Sequence, residues 1–347
     1  MDISSYFQQA VERKASDLHL VAGSIPALRI AGELIKLNHA AIDADDLKKA
    51  VFNLIDKRTV ERFERKRELD ISREFLGSRF RINLHYQEGK IGLSARLIPN
   101  VIPTPEEIGF DEIIYKLTHM QDGLILVTGP SGCGKSTTLA AMINIINKER
   151  KAHIITIEDP IEFLFDEKQS IIEQRELGLD TKDFASGLKY ALRQDPNVIM
   201  VGEMRDKETI AAALTAAETG HLVISTLHTI TASDTIARIV DVFPSHQQDQ
   251  IYNQLALVLR AVIGQQLLPA AKGGLVAARE IMINTRAIAN LIRTHQVGQI
   301  DSVIQTSQKE GMIAMNKSID MLVKRGLVGE EVAKHRKRDL ETLASYY

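Results

Sequence analysis

Tryptophan is absent from this sequence of 347 residues, and cysteine occurs once, as Cys133. A single cysteine excludes a disulfide within the chain and any zinc site that needs several thiolates. Aromatic residues make up only 5% of the chain, so few side chains are available for stacking on nucleic acid bases. The composition therefore argues against redox chemistry and against a base-stacking surface.

The sequence also lacks a strong excess of charge and a long apolar run. Its net charge is −2, and residues 1–102 carry 17 Lys and Arg against 14 Asp and Glu, which does not favour nucleic acid as a partner. Apolar runs such as 198–201 fall far short of the roughly 20 residues that cross a bilayer. The first residues show no basic start followed by an apolar run, so we expect no integral membrane segment and a cytoplasmic protein.

The chain is long enough for about two domains, and residues 1–102 predict a small α+β domain. Polar and apolar residues alternate over 79–86, the pattern of a strand with one buried face. A second strand candidate, 91–98, is expected to form a hairpin with it. One helix is predicted over 43–57, with Asp43 as its N-cap.

A linker over 103–122 and a larger α/β domain over 123–347 are predicted next. Pro99, Pro103 and Pro105 disfavour regular structure near the boundary. Apolar strands then alternate with helices, which is typical of a parallel sheet covered on both faces. The predicted strands are 124–128, 153–157, 198–201 and 222–226. From about 245 the chain is predicted to be mostly helical, with Ser245 and Gln248 as a capping box before a helical segment ending near 263.

Residues 129–136 read Gly-Pro-Ser-Gly-Cys-Gly-Lys-Ser, which matches the P-loop pattern between a strand and a helix predicted over 137–147. Backbone N–H groups of such a loop surround phosphate oxygens, Lys135 reaches the β and γ phosphates, and Ser136 can bind Mg²⁺. A glycine-rich turn without a ligand is the less favoured interpretation. The predicted nucleotide-binding residues are Ser131, Gly132, Cys133, Gly134, Lys135, Ser136 and Thr137. Cys133 occupies an unspecified position of the motif, where a small side chain is a better explanation than a reactive thiol.

Acidic residues follow two further predicted strands. Glu203 directly follows residues 197–202 and is expected to bind Mg²⁺ through water. Gly202 stands before it, where an Asp is usual. The alternative interpretation is a surface glutamate at the end of a strand. Glu158, Asp159 and Glu162 follow the strand 153–157, where ligands bind in open α/β sheets. We favour Glu162 as the base that activates water, but the residues alone leave that role open among the three.

His221 and His228 flank the predicted strand 222–226, with His228 at its carboxyl end. Either could sense the nucleotide, but histidines at the ends of buried strands are often only hydrogen-bonded structural residues.

Taken together, these motifs resemble those of the type IV pilus retraction ATPases, the PilT-like branch of the secretion and pilus motor ATPases. The similarity runs from Ala15-Ser-Asp-Leu-His-Leu20 to about residue 323. The most specific blocks are Thr156-Ile-Glu-Asp-Pro-Ile-Glu-Phe163, Gly202-Glu-Met-Arg-Asp206, Ala213-Leu-Thr-Ala-Ala-Glu-Thr-Gly-His-Leu222 and Thr226-Leu-His-Thr229. They correspond to the Asp box, Walker B and His box of that family.

The resemblance implies a PAS-like N-terminal domain, a RecA-like P-loop core with a helical C-terminal part, and a closed homohexamer whose domains rotate as Mg-ATP is hydrolysed. It implies Glu162 as the catalytic base and places His221 and His228 at the nucleotide. Arg81 and Arg96 match arginines that the family brings to the phosphates, and their alternative is a solvated sheet face with ordinary salt bridges. The implied partners are a platform protein of the inner membrane and an accessory retraction ATPase. The enzyme would act at the cytoplasmic face of that membrane.

Some features differ from the family pattern, and several alternatives stay open. The C-terminal retraction signature resembles Ala287-Ile-Ala-Asn-Leu-Ile-Arg293, but Ala289 replaces an arginine and Thr294 replaces an acidic residue. The residues of this segment are also consistent with simple core packing. The alternatives within the class are a pilus assembly or type II secretion ATPase, which usually has a cysteine quartet and a further N-terminal domain, and an accessory retraction paralogue. Outside it are a nucleic acid translocase and a nucleotide-gated scaffold that does not hydrolyse ATP.

Overall fold

The computed structural model describes residues 1–98 and 101–337. It comprises two compact units, residues 1–101 with 162–164, and residues 102–161 with 165–347. Pro99, which contributed to the predicted linker, and the last ten residues of the predicted second domain lie outside the described residues.

The first unit contains a six-stranded sheet in the order β3-β2-β1-β6-β5-β4. Its strands are β1 (Asp17–Val21), β2 (Ala27–Ile30), β3 (Glu33–Lys36), β4 (Glu68–Phe75), β5 (Ser78–Gln87) and β6 (Lys90–Leu97). Its helices within residues 1–98 are α1 (Ser4–Glu12), α2 (Ala44–Leu54) and α3 (Lys57–Lys66). Apolar side chains of all three helices, including Phe7, Leu47 and Phe63, join those of the strands in one core.

The helix predicted over 43–57 is α2, which ends at Leu54, three residues earlier than predicted, and the expectation of a single helix in this domain was wrong because α3 follows it. Asp43 caps α2 as predicted, accepting hydrogen bonds from the backbone N–H groups of Asp45 and Asp46. Ile55 is extended, and Asp56 starts a new helix by accepting from the backbone N–H of Thr59 at 2.9 Å. A second capping aspartate inside a helical pattern was the signal for this break.

The predicted hairpin is confirmed as β5 and β6, which pair antiparallel. Phe80, Ile82 and Leu84 are fully buried, whereas Arg81 is exposed and lies directly opposite Arg96 on the neighbouring strand. The period-two pattern therefore gave the correct buried face, and the other face is basic at this point.

The second unit is built on a seven-stranded sheet in the order β13-β12-β7-β11-β10-β8-β9. Its strands are β7 (Gly123–Thr128), β8 (His153–Glu158), β9 (Ile171–Glu176), β10 (Val198–Val201), β11 (Leu222–Leu227), β12 (Leu259–Pro269) and β13 (Leu275–Ile283). Neighbouring strands are parallel, apart from the antiparallel pair β12 and β13. The four predicted strands are confirmed within one residue at each end.

Helices cover both faces of this sheet. They are α4 (Glu112–Thr118), α5 (Lys135–Glu149), α6 (Phe184–Ala191), α7 (Lys207–Glu218), α8 (Ala232–Asp241), α9 (Ser245–Val258), α10 (Arg286–Arg293), α11 (Ile300–Thr306), α12 (Met315–Lys324) and α13 (Glu330–Arg336). Alternate residues of β7 enter two different cores, Leu124 and Leu126 on one face and Ile125 and Val127 on the other. Burial on both faces explains why this strand is apolar throughout.

The predicted helical segment from 245 to 263 is corrected in two respects. The helix α9 ends at Val258, and β12 follows it directly; a short buried apolar run fits a helix and a central strand equally well, so only strand pairing decides. The capping box is absent, since α9 has no side-chain cap and the amide of Gln248 donates instead to the backbone oxygen of Phe243 at 3.0 Å. Within the described ranges, no helix combines the length and the apolar character needed to cross a membrane.

Candidate nucleotide-binding site

The loop over 129–134 joins β7 to α5 and depends on glycine at several positions. Gly129, Gly132 and Gly134 all have positive φ, with values of 142°, 77° and 86°. A Cβ on Gly129 would lie 2.3 Å from the backbone oxygen of Gln265 on β12. Gly129 is thus required both by its backbone conformation and by the close approach of β12.

Lys135 and Ser136 begin α5, directly after the loop. The ammonium of Lys135 donates to the backbone oxygens of Gly129 at 2.7 Å and Pro130 at 3.1 Å, so its charge lies over the loop. Ser136 and Thr137 are half-buried in the first helical turn. A positive charge, a helix N-terminus and left-handed glycines in one loop are suited to binding phosphate.

The other loop positions differ in exposure. Ser131 and Gly132 are exposed, whereas Cys133 is buried. Burial raises the pKa of the Cys133 thiol, against the opposing effect of the nearby Lys135 charge. Because the thiolate is the nucleophilic form, this favours the interpretation of Cys133 as a small packing residue.

Three further strands bring side chains to the same edge of the sheet. Since β7, β11, β10 and β8 are parallel neighbours, the loop, His228, Glu203 and Glu158 all lie at their carboxyl ends. Gly202 packs tightly there, because a Cβ would lie 3.3 Å from the backbone oxygen of Ile157. Close packing of the backbones explains a glycine before Glu203, where the sequence departs from the usual Asp.

Glu203 is the centre of a polar cluster at this edge. Its carboxylate lies 2.6 Å from Nε of Arg205 and 3.4 Å from Nε2 of His228. These residues line a cavity of about 350 Å³, together with Thr229 and Arg238 of α8. The structure therefore places Glu203 and His228 in one cavity, and Arg205 and Arg238 line the same cavity.

The three acidic residues considered for the base differ in their surroundings. Glu158 is buried, and its carboxylate accepts hydrogen bonds from Thr156 at 2.7 Å and Gln174 at 3.1 Å. Asp159 and Glu162 are exposed. A buried carboxylate already bonded to two neighbours is poorly placed to take a proton from water, so Glu158 is the weakest of the three candidates.

His221 lies at the opposite edge of the sheet, before β11, where its Nδ1 is 3.0 Å from the backbone oxygen of Ala216. At ~3.3 Å per residue, β11 separates it from the edge of the loop by roughly 20 Å. Within one chain His221 does not reach the loop, and its catalytic role stays a prediction. Arg81 and Arg96 belong to the first unit, where Arg96 is bound to Asp17 at 2.9 Å.

Comparison with known proteins agrees with this geometry. Residues 108–336 match the model of the family described as "Type II/IV secretion system protein". The chain belongs to this family. It is 44% identical to the "Type IV pilus retractation ATPase PilT" of Pseudomonas aeruginosa, over 97% of this chain and 98% of that protein.

Two further relatives extend the comparison. A "Twitching motility protein" of Neisseria gonorrhoeae is 44% identical over 93% of this chain and 87% of that protein. A crystal structure described as "the Pilus Retraction Motor PilT and Bound ADP" superposes with a TM-score of 0.92, 44% identity and 99% coverage of both chains. The predicted family resemblance and the α/β fold, with an N-terminal domain, a RecA-like core and a helical C-terminal part, are confirmed.

The sequence analysis did not identify two residues near the P-loop, one that contacts the loop and one that contacts the first. Gln265 donates from its amide to the backbone oxygen of Cys133 at 2.6 Å, and Arg279 donates to Gln265 at 2.9 Å. Polar residues within the apolar strands β12 and β13 were the available signal, since a buried charge always needs partners.

Proposed function

We propose that this protein is the ATPase that powers retraction of type IV pili. The observation that carries the proposal is the P-loop with Lys135 and Ser136 at the same sheet edge as Glu203 and His228, in a chain 44% identical to PilT over nearly its full length. ATP is the substrate, and the crystal structure of a relative at 44% identity contains bound ADP, which supports nucleotide binding by this chain.

Magnesium fits the residues present. Mg²⁺ prefers oxygen ligands and usually keeps several waters, with one or two protein oxygens and the phosphates completing its shell. Ser136 would supply a hydroxyl, Glu203 would bind through water, and the ion would neutralise phosphate charge.

The chain's own residues would perform three tasks. Backbone N–H groups of the loop and the ammonium of Lys135 hold the β and γ phosphates and stabilise the charge that develops during transfer. His228, whose Nε2 lies 3.4 Å from the carboxylate of Glu203, senses whether nucleotide is bound at this edge of the sheet. Glu162 takes the proton of the attacking water, while the buried Glu158 keeps β8 and β9 in place through Gln174.

The assembly is a closed homohexamer in which Arg81 and Arg96 contribute positive charge at the phosphates and domain rotation follows hydrolysis. Arginine is suited to this role because its planar guanidinium can bind a phosphate group through two oxygens at once. The motor acts in the cytoplasm, at the inner face of the cytoplasmic membrane, on a platform protein of the pilus. An accessory retraction ATPase is a further partner.

The first test is steady-state ATPase activity of the purified chain beside Lys135→Ala, with oligomeric state measured by light scattering. We expect the wild type to hydrolyse ATP as a hexamer and Lys135→Ala to lose turnover, since losing a residue that binds the transferred phosphate typically costs about 10²-fold or more. An inactive wild type that still binds ATP would support a nucleotide-gated scaffold instead.

The base is tested by three matched substitutions, Glu162→Gln, Glu158→Gln and Asp159→Asn. We expect Glu162→Gln to bind ATP normally and to lose turnover by about 10²-fold or more. Glu158→Gln should lower stability more than it lowers turnover of the folded protein. Full activity of Glu162→Gln would transfer the role to Asp159 or Glu158, according to which variant is inactive.

A further inference from the structure

Arg279 on β13 is a buried cation held by neutral acceptors. Its side chain donates from Nε to Gln265 at 2.9 Å, from Nη1 to the backbone oxygen of Gly109 at 2.8 Å and from Nη2 to that of Ile108 at 2.9 Å. The residue is only 2% exposed, and burial lowers its pKa to about 10, so it stays charged at neutral pH. Since charge-assisted hydrogen bonds are stronger than neutral ones, Arg279 fixes the three groups it bonds.

Gln265 connects this cation to the P-loop. Its Oε1 accepts from Arg279 and from the hydroxyl of Thr138 on α5 at 2.8 Å, and its Nε2 donates to the backbone oxygen of Cys133 at 2.6 Å. Because arginine can only donate and a carbonyl can only accept, the orientation of this amide is fixed by its partners. A Cβ on Gly134 would lie 2.9 Å from Nε2, so the loop packs against the same amide.

The other end of the connection is a compact turn over 104–110. Ile108 and Phe110 donate their backbone N–H groups to the oxygens of Thr104 and Pro105, at 3.2 and 2.8 Å. The turn leaves the carbonyls of Ile108 and Gly109 for Arg279, whose guanidinium also lies 5.2 Å from the ring centre of Phe110. In the chain, this turn begins three residues after residue 101, where the first unit ends.

We propose that Gln265 and Arg279 are positioning residues that link the conformation of the P-loop to that of the turn over 104–110, so that nucleotide binding changes this turn near the start of the second unit. The proposal rests on nucleotide binding at the P-loop, which belongs to the proposed function. Movement of the Cys133 carbonyl shifts the Gln265 amide, and the shared Oε1 transmits the shift to Arg279. The turn follows because its two carbonyls bond the same rigid guanidinium.

Hydrogen–deuterium exchange of the amides over 104–111, in the full chain with and without Mg-ADP, tests this link. In the wild type, Mg-ADP should slow exchange in the turn by about fivefold or more, the lower range of coupling between sites. Gln265→Met keeps the side-chain volume and removes the amide. We expect its turn to stay protected but to respond to Mg-ADP by less than about twofold.

Arg279→Met should instead expose the turn in both states, and Arg279→Lys should restore the response only partly, since lysine cannot bond three acceptors in a plane. Ser318→Ala is the matched control, because it removes a 2.9 Å hydrogen bond to the backbone N–H of Arg279 and leaves its side chain in place; its turn should respond as in the wild type. Binding of a fluorescent ADP analogue, measured in parallel, gives the concentration that saturates each variant, so that exchange is compared in fully bound protein.

A full response of the turn in Gln265→Met, or no response in the wild type despite saturating ADP, would overturn the proposal. Because ADP binding and exchange need no hydrolysis, a wild type that binds ADP but lacks ATPase activity would overturn the proposed motor function and leave this test intact.

Discussion

The glycines of the P-loop differ in what surrounds them, and the two that the motif specifies, Gly129 and Gly134, share one neighbour. Gly129 and Gly134 meet the side chain or backbone of Gln265, whereas a Cβ on Gly132 would have no heavy atom within 4 Å. The pattern G-x-x-x-x-G-K-[ST] requires Gly129 and Gly134 and leaves the position of Gly132 unspecified. The constraint on the two motif glycines therefore includes packing against β12 as well as phosphate binding.

Replacing Gly129 with alanine should destabilise the protein more than replacing Gly132. Gly129→Ala combines a strained backbone with a clash against the backbone of Gln265, so we expect a loss of about 3 kcal/mol or more. Gly132→Ala meets only the strain of a left-handed residue, about 1–2 kcal/mol. Urea unfolding without nucleotide measures both, and equal losses would contradict the role of β12.

His19 of the first unit is expected to titrate below the ordinary histidine range. Burial is the main cause of its lowered pKa, with Arg29, Arg96 and His85 acting in the same direction and Asp17 against them. The Nε2 atom is buried and has no hydrogen-bonding partner within the described residues. Exchange at the imidazole C2 position, followed by mass spectrometry against pH, should give a midpoint below 6.5, the ordinary pKa of a histidine.

The sign of the linked stability follows from this shift. The unfolded chain binds the proton more tightly than the folded one, so the contribution of His19 to stability is complete above about pH 6.5 and is lost as the pH falls toward the lowered value. His19→Gln should therefore weaken the acid dependence of unfolding, with the exposed His39→Gln as the control. An unchanged pH dependence in His19→Gln would contradict this assignment.

At the scale of elements, α10 shows how a motif and a packing surface overlap. Ile288 and Ile292 are fully buried, and Leu291 packs against the same core. Ala289, where the family's retraction signature has an arginine, also packs against this core. The apolar stripe of this segment is thus explained by packing, and its part in retraction stays a prediction.

Truncating the core side of α10 should cost stability, whereas truncating its exposed side should not. For Ile292→Ala we expect a loss of about 2–4 kcal/mol, because a buried isoleucine leaves a cavity. The exposed neighbour Arg293→Ala should change stability by less than about 0.5 kcal/mol. Thermal unfolding of both variants checks the contrast, and a loss of similar size in each would show that α10 does not pack as described.

At the scale of the whole molecule, the chain has separate hydrophobic cores in its two units. Phe7, Leu18, Phe63 and Phe80 belong to a core formed only by residues of the first unit. Its sheet of six strands is paired entirely within residues 17–97. A unit with its own core and a closed set of strand pairings satisfies the physical criteria for independent folding.

A fragment of residues 1–101 is therefore expected to fold alone. Its thermal unfolding should be cooperative, with an enthalpy of about 70 kcal/mol near 60 °C, as for other domains of about 100 residues. Circular dichroism and calorimetry provide the measurement. A fragment without a cooperative transition would show that the first unit needs the rest of the chain, and a fragment extended to residue 111 serves as the control for truncation.

The sequence by itself determined the features that depend on neighbouring residues. The P-loop, the buried strands, the positions of Glu203 and His228 at strand ends, and the cap at Asp43 all follow from short contiguous patterns, because local backbone geometry and side-chain periodicity are fixed over a few residues. The family resemblance rests on the same contiguous blocks.

Only the tertiary structure decided which distant residues meet. Residues after 258 form a strand because β7 and β13 pair with them, and Glu158 is buried and accepts a hydrogen bond from Gln174 of the next strand. The connection from Cys133 through Gln265 and Arg279 spans more than 140 positions of sequence. Strand pairing brings such residues together through long-range contacts, which local patterns do not specify.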